Sequence, residues 1–84
     1  MKTARMDYKQ LRLLKTLVQR RSTAEEARAS LANEGFAFTD VEFQTALKAL
    51  SGEGLVQVML GVGGHQVYEA TNAGSLRVTR AFRT

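Results

Sequence analysis

The chain has 84 residues, no cysteine, no proline, and a formal net charge of +4 with a pI of about 10.0. That length leads us to expect one domain across residues 1–84 with a core small enough to gain from pairing with a second copy. The absent cysteines exclude disulfides and thiol chemistry. The opening MKTARMDYKQ lacks the apolar stretch of a signal peptide, and no run approaches the roughly 20 apolar residues of a membrane span, so a soluble cytoplasmic protein is expected.

The charge is unevenly spread. Residues 1–21 carry seven Lys/Arg against one Asp, and residues 77–84 carry three Arg. Between them, residues 22–76 hold only Arg28 and Lys48 against seven acids, Glu25, Glu26, Glu34, Asp40, Glu42, Glu53 and Glu69. A basic pI suggests a polyanionic partner, but here the basic character sits at the two ends.

From about Asp7 to Arg20 the apolar residues follow a helical period, with Leu11, Leu14 and Val18 at i, i+3 and i+7 and Leu17 beside them. Lys9, Arg12, Lys15 and Gln19 take the other face. In STAEEARASLANEG, Thr23 stands three residues before Glu26, the spacing of a capping box, and Ala24, Ala27 and Leu31 form an apolar stripe. A second helix is expected over about 24–34. FAFTDVEFQTALKALSGEG repeats the grammar: Thr39 and Glu42 form a second capping box, and Phe43, Leu47 and Leu50 repeat at helical spacing with Ala46 beside them. The third helix should cover about 40–51 and end at Gly52 or Gly54, with Phe36 and Phe38 plugging the gap between the second and third helices. LVQVML at 55–60, the turn GVGG at 61–64 and HQVYEA at 65–70 read as a hairpin. Thr71 then caps a last helix over about 72–82, with Leu76 facing inward and Ala73, Val78, Thr79 or Phe82 alongside. The resulting class is α+β, mostly helical: three helices, a β-hairpin and a C-terminal helix.

Two stretches carry a resemblance. The run TDVEFQTALKALSGEGLV from Thr39 resembles the third helix and wing entry of winged helix-turn-helix transcription regulators, the MarR and PadR groups in particular. YEATNAG, Tyr68 to Gly74, is similar to the Tyr-x-Leu-Thr-x-x-Gly at the exit of their wing, with Ala70 in place of the usual Leu. The resemblance covers about residues 22–76 and implies a winged helix that binds double-stranded DNA, commonly as a homodimer. Gly74 would then let the last helix pass close to another backbone.

On that layout the third helix enters the major groove. Gln44 would pair with adenine, Thr45 would touch a thymine methyl or a base edge, and Lys48 would meet a phosphate. Arg12, Lys15, Arg20 and Arg21, with Lys2, Arg5 and Lys9, would neutralise phosphates, and Arg28 and Thr39 complete the candidate contacts on the helices. At the wing tip His65 and Gln66 would donate hydrogen bonds to the DNA backbone. Arg77, Arg80 and Arg83 suit both phosphate contact and the negative end of a helix dipole.

No catalytic, metal or cofactor site is expected. Gly61 and Gly63 begin a G-x-G, but Gln66 occupies the third glycine position and no helix follows. His65 is the one histidine, without the Cys or His partners of a metal site. A second functional class stays open: a winged helix used as a protein-interaction module, an adaptor or inhibitor of a nucleic-acid machine. The wing tip GVGGHQ lacks Lys and Arg, Asp40 and Glu42 open the third helix, and the acidic middle segment would repel phosphates at the usual reading surface.

Overall fold

The computed structural model describes residues 7–82; Lys2, Arg5 and Arg83 of the basic ends lie outside the described residues. Four helices, α1 (Tyr8–Gln19), α2 (Ala24–Asn33), α3 (Asp40–Gly52) and α4 (Asn72–Ala81), flank a hairpin of β1 (Val56–Leu60) and β2 (Gln66–Ala70) inserted between α3 and α4.

Both capping boxes form. The Glu26 amide donates to the Thr23 hydroxyl at 3.2 Å while the Thr23 amide donates to the Glu26 carboxylate at 3.0 Å. At α3 the corresponding bonds between Thr39 and Glu42 are 3.1 and 2.9 Å. Each box satisfies two donors that the first turn of a helix leaves without partners. The chain leaves α3 at Gly54, whose φ of 75° lies in the left-handed region that glycine enters without a Cβ clash, and the Leu55 amide closes the turn onto the Leu50 carbonyl at 2.9 Å.

The core brings together Leu13, Leu14 and Leu17 of α1, Ala27 and Leu31 of α2, Phe43, Ala46, Leu47 and Leu50 of α3, then Leu55, Val56 and Val78. The inward face of α1 is rotated from the expected stripe: Leu14 and Leu17 are buried with Leu13, while Leu11 and Val18 are half-buried. The reason is that α1 packs against α2, α3, β2 and α4 together, so the middle of its apolar arc is enclosed and the margins are not. Phe38 is buried, edge-on to Phe43 at 5.6 Å, as a plug between α2 and α3. Phe36 does not share that role; it turns to α1 and lies 5.8 Å from Tyr8.

The inward residues of α4 are Gly74 and Val78, with Phe82 half-buried below them, and not Leu76, which is 55% exposed. Gly74 sets the helix phase: its backbone presses on that of Leu55, and two positions later, about 200° round the helix, Leu76 must point away.

The hairpin register pairs Val56 with Ala70, Val58 with Tyr68 and Leu60 with Gln66. Its tip is a single 3₁₀ turn, Val62–Gly64, closed by the Gly61 amide donating to the His65 carbonyl at 2.7 Å. One pairing has no counterpart in the sequence reading. Ser22, between α1 and α2, forms a two-bond antiparallel bridge with Tyr68: the Ser22 amide donates to the Tyr68 carbonyl at 3.0 Å and the Tyr68 amide to the Ser22 carbonyl at 2.8 Å.

Candidate nucleic-acid interface

The heptad-like stripe Phe43, Ala46, Leu47, Leu50 turns one side of α3 into the core. Helical phase then commits Val41, Gln44, Thr45 and Lys48 to the opposite side, where all four are exposed. They line one groove together with Asp40, Leu47 and Ser51 of the same helix and with Val58 and Tyr68 of the hairpin. The structure therefore brings Gln44, Thr45 and Lys48 together and adds a residue missed in the sequence, Val41, which is 76% exposed. The signal for it was present: Val41 is two residues before Phe43 and so off the buried stripe.

Most acids of the middle segment have a cation beside them. Arg28 of α2 forms an ion pair with Asp40, donates to the Phe38 carbonyl at 2.8 Å, and lies 5.7 Å from the centre of the Phe43 ring. Lys9 of α1 pairs with Glu42 at 3.4 Å, donates to the Ala37 carbonyl at 2.8 Å, and stands 4.6 Å above the Phe38 ring. Arg12 pairs with Glu34 at 2.6 Å over the Phe36 ring, Arg21 approaches Glu69 at 4.0 Å, and Arg77 approaches Glu53 at 3.9 Å. Five of the seven acids in residues 22–76 thus have a cation beside them, supplied in four cases by the basic ends. Such pairs add little stability each, about 0–1 kcal/mol. Their larger consequence is for the field: a close pair of opposite charges projects little potential beyond the Debye length of about 8–10 Å.

The Thr39 amide, and then Lys9, hold the Glu42 carboxyl below the usual glutamate range. The hydrogen bond to Glu34 likewise raises the Arg12 pKa above its ordinary value.

The other candidate residues divide by position. Thr39 is the cap of α3, its hydroxyl accepting from the Glu42 amide. Lys15 lies 4.8 Å from the Phe82 ring centre, on the α1 face covered by α4. Arg20 is exposed at the C-terminal cap of α1. Among the described residues Lys15, Arg20, Lys48 and Arg80 have no carboxylate within ion-pair distance, whereas Arg12, Arg21 and Arg28 do. His65 and Gln66 do not join the α3 groove; they line a separate recess with Thr23, Glu25 and Glu26 at the start of α2. The far end of the hairpin is apolar, with Leu60 77% and Val62 97% exposed.

No protein-family model matches this chain, and no curated protein matches it. Solved structures do. RosR of H. salinarum superposes with a TM-score of 0.79 at 18% identity, over 90% of this chain and 70% of that one. A PadR-family transcription regulator from Clostridium difficile gives 0.79 at 16% identity, over 89% and 83% of the two chains. Bacillus subtilis PadR, solved in complex with operator DNA, gives 0.79 at 13% identity, over 93% of this chain and 48% of that one. The fold is a winged helix-turn-helix. In its terms α2 and α3 are the helix-turn-helix, the β1–β2 hairpin is the wing, and the Arg28–Asp40 pair spans the turn between the two helices.

Proposed function

We propose that this winged helix-turn-helix is a small DNA-binding transcription regulator that works as a homodimer in the cytoplasm. In this reading α3 lies in the major groove with Gln44 and Thr45 at the base edges and Lys48 at a phosphate. The wing follows the adjacent backbone. Arg20, at the C-terminal cap of α1, supplies further phosphate charge, while Arg12 and Arg28 hold the helices in place. Tyr8 and Leu76, exposed on α1 and α4, belong to elements that take no part in the reading face and are assigned to pairing of two copies. The observation that carries the proposal is the pairing of Asp40 with Arg28 and of Glu42 with Lys9, which offsets the repulsion their charges would set against phosphates and leaves Lys48 as the cation of the α3 groove. The operator DNA bound by Bacillus subtilis PadR, a neighbour of the same fold, supports it as well.

The test is a salt titration of binding to mixed-sequence duplex. Several phosphate contacts give strong retention near ~50 mM salt and a linear fall of log K with log salt. No retention at that salt would overturn the proposal. The protein-interaction alternative draws on the wing tip, which carries no Lys, Arg, Asp or Glu, with its exposed Leu60 and Val62. Two paired variants separate the readings. Loss of DNA retention in Gln44→Ala/Thr45→Ala and in Lys48→Ala supports DNA reading. Unchanged retention in both, with one stoichiometric protein captured through the wing and released by Leu60→Ser/Val62→Ser, supports the interaction module.

A further inference from the structure

We infer that the groove face of α3 selects A·T base pairs, through adenine-edge hydrogen bonds from Gln44 and thymine-methyl contacts from Val41 and Thr45. This rests on the DNA-binding reading above and specifies its substrate.

The argument is one of chemical complementarity. Each base pair displays its own donors, acceptors and methyl group in the major groove. Guanine is read by a cation reaching O6 and N7. The first two turns of α3 contain no Arg or Lys; the helix's single cation, Lys48, comes two full turns after Thr39. Cytosine is read by a carboxylate accepting from N4. Asp40 and Glu42 are the carboxylates at the start of the helix, and each already carries a cation on one oxygen, Asp40 that of Arg28 and Glu42 that of Lys9 together with the Thr39 amide, which weakens either as an acceptor for cytosine N4. What the first two turns leave uncommitted on the exposed side, ahead of Lys48, is an amide and two methyl-bearing side chains. The Gln44 side chain offers one donor and one acceptor, the complement of adenine N7 and N6. Val41 and Thr45, four residues apart, project from one strip of the helix on either side of Gln44. An exposed Val at the first turn of a helix gains nothing from water; against a thymine methyl it buries apolar surface on both partners.

The test begins with selection of binding sites from random duplex by the wild-type chain, so that no variant has to fold. The selected half-sites should be centred on A·T pairs. Thymine is then replaced by uracil, which removes only the C5-methyl, and adenine by 7-deazaadenine, which removes only the N7 acceptor. Each lost methyl contact should weaken binding about fourfold, and the lost adenine bond about fivefold or more. In Val41→Ser/Thr45→Ser the uracil penalty should vanish, and in Gln44→Ala the 7-deazaadenine penalty should vanish. Half-sites centred on G·C, or wild-type binding indifferent to both replacements, overturn the inference and leave the DNA-binding reading intact. Absence of any duplex selected or retained overturns both.

Discussion

A Cβ placed on Gly74 would lie 2.2 Å from the carbonyl oxygen of Leu55, closer than two such atoms can approach. The same backbone carbonyl accepts from the Thr71 amide at 2.9 Å, and the Thr71 hydroxyl donates to the Gly54 carbonyl at 2.7 Å. The entry and exit of the wing are therefore stitched together at one point, and α4 starts in direct backbone contact with the strand entry. Gly74→Ala should lower stability by about 2 kcal/mol or more, because overpacking outweighs the roughly 1 kcal/mol that alanine gains over glycine in a helix. Urea denaturation of the two proteins checks the sign; a stabilised variant would remove the close approach from the account.

The two sides of α3 should respond very differently to truncation. Phe43→Ala empties a fully buried ring site and should cost about 3–5 kcal/mol. Val41→Ala, on the exposed side, should change stability by less than about 0.5 kcal/mol. Thermal melts of both variants test the helix phase on which the reading face depends.

Arg28→Ala removes the partner of Asp40 and the bond to the Phe38 carbonyl. Stability should fall modestly, by about 1–2 kcal/mol, from one lost hydrogen bond and one exposed ion pair. DNA retention should fall further than that loss explains, since Asp40 then presents an uncompensated charge beside Gln44. Adding Asp40→Asn to Arg28→Ala should restore retention without restoring the melting temperature, which a purely structural role of the pair would not produce.

Glu42 gives the fold an acid-sensitive component. Its carboxyl is held below the usual range by the Thr39 amide and Lys9, so the folded pKa is lower than the unfolded one. The associated stability is present above the unfolded value and is lost as pH falls through the folded one. Melting temperatures between about pH 6 and pH 3 should fall less steeply for Glu42→Gln than for the wild type, with the two curves converging at the acid end. Parallel curves would exclude the capping carboxylate as the source.

The parts of the molecule that were legible in the sequence are those governed by local chemistry. Thr23–Glu26, Thr39–Glu42 and Thr71 mark helix starts because a cap is a contact within four residues. The α3 stripe was legible because a helix with one buried side keeps a clean period. The α1 stripe was misplaced by a notch because that helix is enclosed by four elements, and no period records such a neighbourhood. Leu76 was assigned to the core by its side chain, yet the phase of α4 is dictated by the absence of one at Gly74. The acidic middle segment posed the deepest problem. Its partners Lys9, Arg12, Arg21 and Arg77 are 22 to 48 residues distant, so a linear charge count sees opposed blocks where the folded chain has matched pairs.

The bridge between Ser22 and Tyr68 makes the hairpin an oar held at a rowlock. Inboard of Tyr68 the ribbon is pinned to the α1–α2 junction and to α4; outboard, residues 59–67 have no backbone hydrogen bond to the helices, and only His65 and Gln66 border the start of α2. A load applied at Val62 would rock the blade about that pivot and be delivered to the joint where α1 hands over to α2. Deuterium uptake should mark the boundary, with the Tyr68 amide exchanging far more slowly than those toward the tip.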